Sequence, residues 1–342
     1  MIYSFTNDYN ETAHPKIFNA FLQTANQKNA GYGLDDYCKQ AAEIIKKQIK
    51  SPESDVHFLP GGTITNLVLI SHALRPYQAV ICAQTGHIAV HETGAIEATG
   101  HKVITVQSND GKLTPEMIKP VLVEHCDEHM VQPKMVYISN TTEIGTIYTK
   151  QELQALSTFC RNNNLYLYLD GARLAMALTA KENDLTLADL AELTDAFYIG
   201  GTKVGAFNGE ALVINSKLLN DDIRFSMKQK GAIQAKSWLL GMQFITLMQD
   251  DLYFELGQTS NTMANQLKIV LEKQGLSFVV PPQTNQLFVK VPNQLVEKLT
   301  QTYSLADSGA IDAEHTCLRF CTSWATTKSD IEEFEVFLKN II

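Results

Sequence analysis

The sequence predicts an α/β protein: a mostly parallel sheet held between helix layers, followed by a smaller α+β C-terminal domain. Three observations carry this expectation. Continuous apolar strands such as Ala79–Ala83, Leu165–Leu169 and Ala196–Ile199 need burial on both faces, which a parallel sheet covered by helices provides. Helical periodicity alternates with these strands through the first 250 residues. From about residue 251 the pattern changes to shorter strands and helices, so the expected division is 1–250 for an N-terminal arm and large domain and 251–342 for the small one.

Taken in order, residues 4–14 are polar and read as an extended arm that ends at Pro15, where a helix begins. Gly31-Tyr-Gly33 breaks that helix from a second one over roughly Asp35–Lys50, apolar along Ala41, Ala42, Ile44, Ile45 and Ile49. Asp55–Pro60 is a short strand, and Ile64–Leu74 a helix. Ala79–Ala83 and His101–Val106 are strands, with His91 and Glu92 expected to open the helix between them. Pro115 begins another helix. Pro133–Ser139, Leu165–Asp170, Ala196–Ile199 and Glu210–Asn215 are the further strands, with helix Lys150–Asn162 among them. A long helix over about Ala235–Asp250 and beyond leads to the C-terminal strands Phe278–Val280, Leu287–Val291 and Cys317–Thr322. The helices there are Asn261–Gln274, Gln294–Gln301 and Ser329–Lys339.

Composition narrows the partners. With 28 Lys+Arg against 37 Asp+Glu the formal net charge is −9, which argues against nucleic acid or an anionic membrane surface. The six cysteines form no CxxC pair and no His/Cys cluster of zinc spacing, so no metal site is expected and reduced core thiols are. The absence of a basic leader and of an 18-residue apolar run leads to the expectation of a cytoplasmic protein with no membrane span.

Four places invite chemistry, each with an ordinary alternative. Gly200-Gly-Thr-Lys203 puts a lysine where a buried strand opens into a glycine-flanked turn. Burial would lower its pKa and make the amine a nucleophile toward an aldehyde, whereas a surface lysine at a loop tip is the plain reading. Gly61-Gly62-Thr63 between strand and helix has the makings of an anion site, or simply of a tight turn with a helix cap. His87, directly after a strand, could lie flat on an aromatic ring or serve as a cap, with His91 and Glu92 in reach of the same cleft. Asp170 ends a strand at the edge where open α/β sheets bind ligands, and Arg173 follows three residues on. Arg319 adds a charge inside the apolar run Leu318–Trp324, suited to a substrate carboxylate or to a structural ion pair.

These features converge on one cofactor. Pyridoxal 5′-phosphate needs a lysine for its aldehyde, backbone donors at a helix start for its phosphate, a carboxylate on its pyridine nitrogen and a planar group against its ring. A dehydrogenase or an NTPase would leave Lys203 and Asp170 without roles and would need motifs that are absent.

The motifs Phe5-Thr-Asn-Asp8…His14-Pro15, Ala30-Gly-Tyr-Gly33, Gly61-Gly-Thr…Asn66, Gly86-His87…Glu92…Gly94-Ala95, Thr142-Glu143…Gly145, Asp170-Gly-Ala-Arg173, Gly200-Gly-Thr-Lys203 and Arg319-Phe-Cys-Thr-Ser-Trp324 run in family order over nearly the whole chain. In them the sequence resembles the threonine aldolases of the aromatic amino acid beta-eliminating lyase/threonine aldolase family, pyridoxal-phosphate enzymes of the aspartate-aminotransferase-like fold type I. The resemblance implies cleavage of L-threonine or L-allo-threonine to glycine and acetaldehyde. It implies Lys203 as the Schiff-base lysine, Asp170 as the pyridinium partner and His87 as the stacking residue. Gly61, Gly62 and Thr63 would hold the phosphate, and Arg173 and Arg319 would clamp the substrate carboxylate with Asn7 and Tyr32 nearby. His87, His91, or a water held by one of them is the implied base for the β-hydroxyl, oriented by Glu92. Asn7 and Gly61 stand where the family often has serine, and His91 where it is often aromatic.

A homotetramer built as a dimer of dimers is implied too, with sites at the subunit interface and Tyr32 and the basic residues of 228–236 supplied by a neighbour. The alternatives are a beta-eliminating lyase or aminotransferase on another amino acid and, from a different class, a non-catalytic pyridoxal-binding protein.

Overall fold

The computed structural model describes residues 3–342. Its strands are β1 (Tyr3–Ser4), β2 (Asp55–Leu59), β3 (Gln78–Ala83), β4 (Lys102–Val106), β5 (Gln132–Ser139), β6 (Tyr166–Asp170), β7 (Ala196–Gly200), β8 (Glu210–Ile214), β9 (Ser277–Phe278), β10 (Gln286–Pro292), β11 (Tyr303–Ser304), β12 (Ala306–Ala310) and β13 (His315–Cys321). Seven of them form one sheet in the order β2-β8-β7-β6-β5-β3-β4. Five neighbours, β4, β3, β5, β6 and β7, run parallel, while β8 runs antiparallel to both β7 and β2. This is the mostly parallel sheet between helices that the apolar strands required.

Alternation along the strands explains the layers. On β7, Phe197 and Ile199 face one core while Ala196 and Tyr198 face the other. β5 does the same with Val136 and Ile138 against Met135 and Tyr137. Helices Pro15–Thr24, Asp36–Gln48, Lys150–Asn162 and Trp238–Met248 cover the first face, and Gly62–Ala73 and Ile223–Gln229 the second. Both faces are apolar because both are buried, which is why these strands show no polar alternation.

A second sheet, β12-β13-β10-β9, is antiparallel and packs on its own core with helices Leu252–Lys273, Asn293–Thr302 and Lys328–Ile341. The N-terminal arm joins this unit. β1 pairs in parallel with β11, and Phe5 is fully buried in the C-terminal core. Phe5 N–H donates to Ser304 O at 2.9 Å and Cys321 N–H donates to Phe5 O at 2.8 Å.

Two local expectations are corrected. The long helix starting near Ala235 is two helices, Trp238–Met248 and Leu252–Lys273, broken at Gln249–Asp251 where Asp250 and Asp251 take φ of 54° and 58°. No glycine or proline marks that break; aspartate is among the few side chains that tolerate the left-handed region. His91 and Glu92 do not open a helix. The helical turn is His87–Val90, His91 closes it, and a 3₁₀ turn follows at Glu97–Thr99. Strand β12, with its mostly exposed side chains, had no apolar pattern to announce it. Among the described residues no helix is long and apolar enough to cross a membrane.

Candidate active site

Strand register brings the chemistry to one edge. The five parallel strands end there, and β8 begins there because it runs the other way. Ser139 lies opposite Asp170, Gly200 opposite Glu210, and Leu59 opposite Glu210. The turns leaving β2, β3, β6 and β7 therefore converge on a cleft of about 580 Å³. The cleft is lined by Gly61, Gly62 and Thr63, by His87 and His91, by Asp170 and Arg173, by Lys203, and by Arg319 from β13.

Close backbone approach fixes the two central turns. A Cβ on Gly171 would overlap the carbonyl oxygen of Tyr198, and one on Gly200 would lie 2.6 Å from Gly171 O. With no side chain between them, Gly200 N–H donates to Gly171 O at 3.0 Å. The turn after Asp170 and the turn carrying Lys203 are thus stitched together.

Asp170 is almost fully buried and held by four donors: the hydroxyls of Tyr137 and Tyr198, the Asn66 side-chain amide at 3.2 Å and the Ala172 N–H at 3.0 Å. Burial works to raise its pKa. The neighbouring His87 and these hydrogen bonds outweigh it, so the carboxyl sits below its ordinary value and is ionised at neutral pH. Burial and the Asp170 charge raise both phenols, which keep their protons and donate.

Lys203 leaves β7 with its ammonium 5.9 Å from the centre of the Tyr9 ring. Burial lowers its pKa, as does Arg173, while Asp8, Asp170 and Glu210 act in the opposite sense; the net direction is down. The amine is therefore more often free than an exposed lysine's.

Gly61 precedes the helix Gly62–Ala73 with no side-chain cap, and a Cβ there would meet nothing within 4 Å. Gly61, Gly62 and Thr63 at this uncapped helix start line the cleft, the arrangement that receives an anion. His87 Nδ1 lies 2.8 Å from Glu92 Oε1, which also accepts from the Asn66 amide at 2.8 Å. Glu92 is buried behind His87 and does not line the cleft. The His91 ring is 5.5 Å from that of His87; burial lowers its pKa, with His87 and Arg319 adding to the effect.

The two arginines differ. Arg173 is spent on an acid of this chain: its Nε and Nη2 donate to Asp8 at 2.7 and 3.0 Å. Arg319 Nη2 donates to Thr6 O at 2.9 Å, while its Nε is buried with no partner.

Two expected site residues lie elsewhere in this chain. Asn7 does not line the cleft; its amide oxygen accepts from Tyr9 N–H at 3.0 Å. Tyr32, with φ of 63°, lines a separate hollow of about 140 Å³ beside Arg224, and Lys228 sits 4.3 Å from its ring centre. Asp8 and Glu143 stood in the motifs without a role; Glu143 lines the cleft and accepts from His87 N–H at 2.9 Å, while Glu210 and the phenols Tyr137 and Tyr198 had gone unnoticed. Glu210 carried a visible signal, an acid heading an otherwise apolar strand, the mirror of Asp170 ending one. Tyr198 looked like any core aromatic.

The beta-eliminating lyase family profile matches residues 10–294. The low specificity L-threonine aldolase of Pseudomonas sp. (strain NCIMB 10558) is 28% identical over 350 residues, spanning 99% of this chain and 97% of the relative. A solved structure of Leishmania major threonine aldolase superposes with a TM-score of 0.97 at 50% identity, covering 99% of each chain. Thermus thermophilus aspartate aminotransferase shares the fold at 13% identity, with a TM-score of 0.74 over 100% of this chain and 92% of its own.

Proposed function

Because this chain belongs to the beta-eliminating lyase family, we propose that it cleaves β-hydroxy-α-amino acids, L-threonine and L-allo-threonine among them, to glycine and an aldehyde. The observation that carries this reading is the stitched pair of turns that sets Lys203 and Asp170 in one cleft, in a chain half identical to a threonine aldolase over its whole length. Elimination or transamination is the less favoured outcome, since the full-length relatives are threonine aldolases.

The fold and family imply pyridoxal phosphate, and the residues present fit it. An ionised, buried carboxylate, an uncapped helix start and a lysine of lowered pKa meet in the cleft. Asp170 would face the ring nitrogen, Gly61, Gly62 and Thr63 the phosphate, and His87 the ring plane. Bound there, the cofactor supplies an aldehyde for amine condensation and a conjugated ring that accepts the electron pair released on Cα–Cβ cleavage.

The chain's own groups do the rest. Lys203, deprotonated more readily because it is buried, offers a nucleophilic nitrogen. Arg319 offers the remaining N–H groups of its terminal guanidinium nitrogens to the substrate carboxylate, and Arg173 adds positive charge while Asp8 holds its orientation. This anchoring fixes the orientation of the substrate in the cleft before its Cα–Cβ bond is cleaved. His91, neutral near pH 7 because burial lowers its pKa, accepts the β-hydroxyl proton on a ring nitrogen. Glu92 and Asn66 fix the His87 ring. Tyr32 and the basic residues around Lys228 serve the cleft of a second copy of the chain.

The direct test is incubation with L-threonine and with L-allo-threonine. Equimolar glycine and acetaldehyde are expected. 2-Oxobutanoate, or a new amino acid from an added keto acid, would overturn the reading.

A further inference from the structure

Tyr9 is a large aromatic side chain that stays 53% exposed although the chain on both sides of it is pinned. Before it, Asp8 is fully buried and accepts from Arg173 and from the Asn285 amide at 2.9 Å. After it, Glu11 accepts from the Ser323 hydroxyl at 3.0 Å, and His14 N–H donates at 2.8 Å to Gly205 O, in the loop that follows Lys203. Between these anchors the Tyr9 N–H donates to Asn7 Oδ1, a local turn that holds the backbone at the residue itself. The ring so placed lines the cleft, with its centre 5.9 Å from Lys203 Nζ.

A half-bare ring on a cleft wall offers an apolar face to a ligand. Most of the other walls are polar, from the arginines and histidines to Asp170 and the helix start. Position decides which part of a ligand meets the ring. The substrate's amine replaces that of Lys203 on one aldehyde carbon, one nitrogen in and one out, so it comes to rest close to where Nζ stands. A β-substituent lies three bonds beyond that nitrogen and reaches roughly 3.5 Å from it. Seated on a ring face, it needs about 3.5–4 Å to the ring atoms. The 5.9 Å between Nζ and the ring centre is therefore a gap that a β-methyl or β-aryl group fills.

Resting on the threonine aldolase reading, we propose that Tyr9 is a specificity-determining residue: its ring receives the β-substituent of the substrate and so tells the two β-epimers apart. The carboxylate of either epimer goes to the arginines and its hydroxyl to the same acceptor, His91. Two positions then remain on Cβ, one for the hydrogen and one for the methyl group, and the epimers exchange them. Only one of the two faces the Tyr9 ring. A methyl group there leaves water for an apolar face, and a methyl group turned away does not. Tyr9 moves no proton and no electron.

The test uses the holoenzyme and compares ligands with one another, so that a general loss cancels. The ratio kcat/KM is measured for L-threonine and for L-allo-threonine, and the dissociation constant of glycine by titration of the cofactor's absorbance band. Tyr9→Ala is expected to change the relative kcat/KM of the two epimers by about fourfold, the worth of one buried methyl group, with the epimer whose methyl meets the ring losing more. Glycine has no β-carbon, and its affinity is expected to stay within about twofold of native. Tyr9→Phe keeps the ring and should leave the epimer preference within about twofold of native. An epimer preference unmoved in Tyr9→Ala would overturn the proposal. So would a glycine affinity that falls as far as that for L-threonine, since the loss would then belong to the arm rather than to the ring. Cleavage of neither epimer by the native enzyme would defeat the aldolase reading and the role of Tyr9 with it, whereas cleavage with an unmoved preference defeats the role of Tyr9 alone.

Discussion

Gly171 lies against the backbone of Tyr198 so closely that a Cβ would overlap the tyrosine's carbonyl oxygen. Gly171→Ala must therefore push apart the ends of β6 and β7, which carry Asp170 and lead to Lys203. A loss of about 3 kcal/mol in unfolding free energy is expected by denaturant titration. Cofactor affinity falls with it, since both anchors move. Unchanged stability would show that the two turns separate easily.

The buried pair Asp8–Arg173 makes stability depend on acid. Burial works to raise the Asp8 pKa, but Arg173, Lys203 and hydrogen bonds hold it down at about 2. A depressed folded-state value contributes stability above the unfolded value of 3.8, and that contribution is lost as pH falls through about 2. The expected size is about 2 kcal/mol, read as unfolding free energy between pH 5 and pH 2. Asp8→Asn should remove this slope and lower stability at pH 7 by about 3 kcal/mol, because Arg173 is left buried and unpaired.

Arg319 lines the cleft and, unlike Arg173, pairs with no carboxylate of the described residues. Arg319→Gln is expected to raise KM for L-threonine by roughly 10²-fold, with a smaller effect on the cofactor's absorbance band, since the lost contact is to the amino acid. A drop in kcat alone would place the carboxylate elsewhere.

His91→Gln should lower kcat by roughly 10²-fold or more while cofactor binding persists. His87→Gln should weaken cofactor binding first, because that ring is anchored by Glu92 rather than left to a substrate proton. The kcat profile of the native enzyme should fall on its acid side as His91 takes up a proton, at a pH below the ordinary histidine value because burial lowers it. An acid limb that survives in His91→Gln would point to another base.

The architecture was legible because burial on two faces leaves a loud trace: β3 after Gln78, β6 before Asp170 and β7 are apolar runs, with the polar residues at or just beyond their ends. Asp170 and Lys203 stood out for that reason. The break at Asp250–Asp251 did not, because two aspartates in the left-handed region leave no mark beside an unbroken run of helix formers. Nor did the partner of Arg173: Asp8 lies 165 residues away in a polar arm, and only the folded chain shows that the arginine's first carboxylate is internal. Tyr137 and Tyr198 were hidden differently, since a core phenol and a phenol holding a catalytic acid share one pattern.

The arm at the beginning of the chain ties Phe5 into the C-terminal core, gives Thr6 O to Arg319 and gives Asp8 to Arg173. The three residues Thr6 to Asp8 thus act as a ruler between two guanidinium groups, one on β13 and one at the helix start that follows β6. Rotation of the small sheet would drag both ends of that ruler. Trimming residues 3–8 is therefore more than the loss of a tail: it takes a core side chain from the small unit and a partner from each arginine at once.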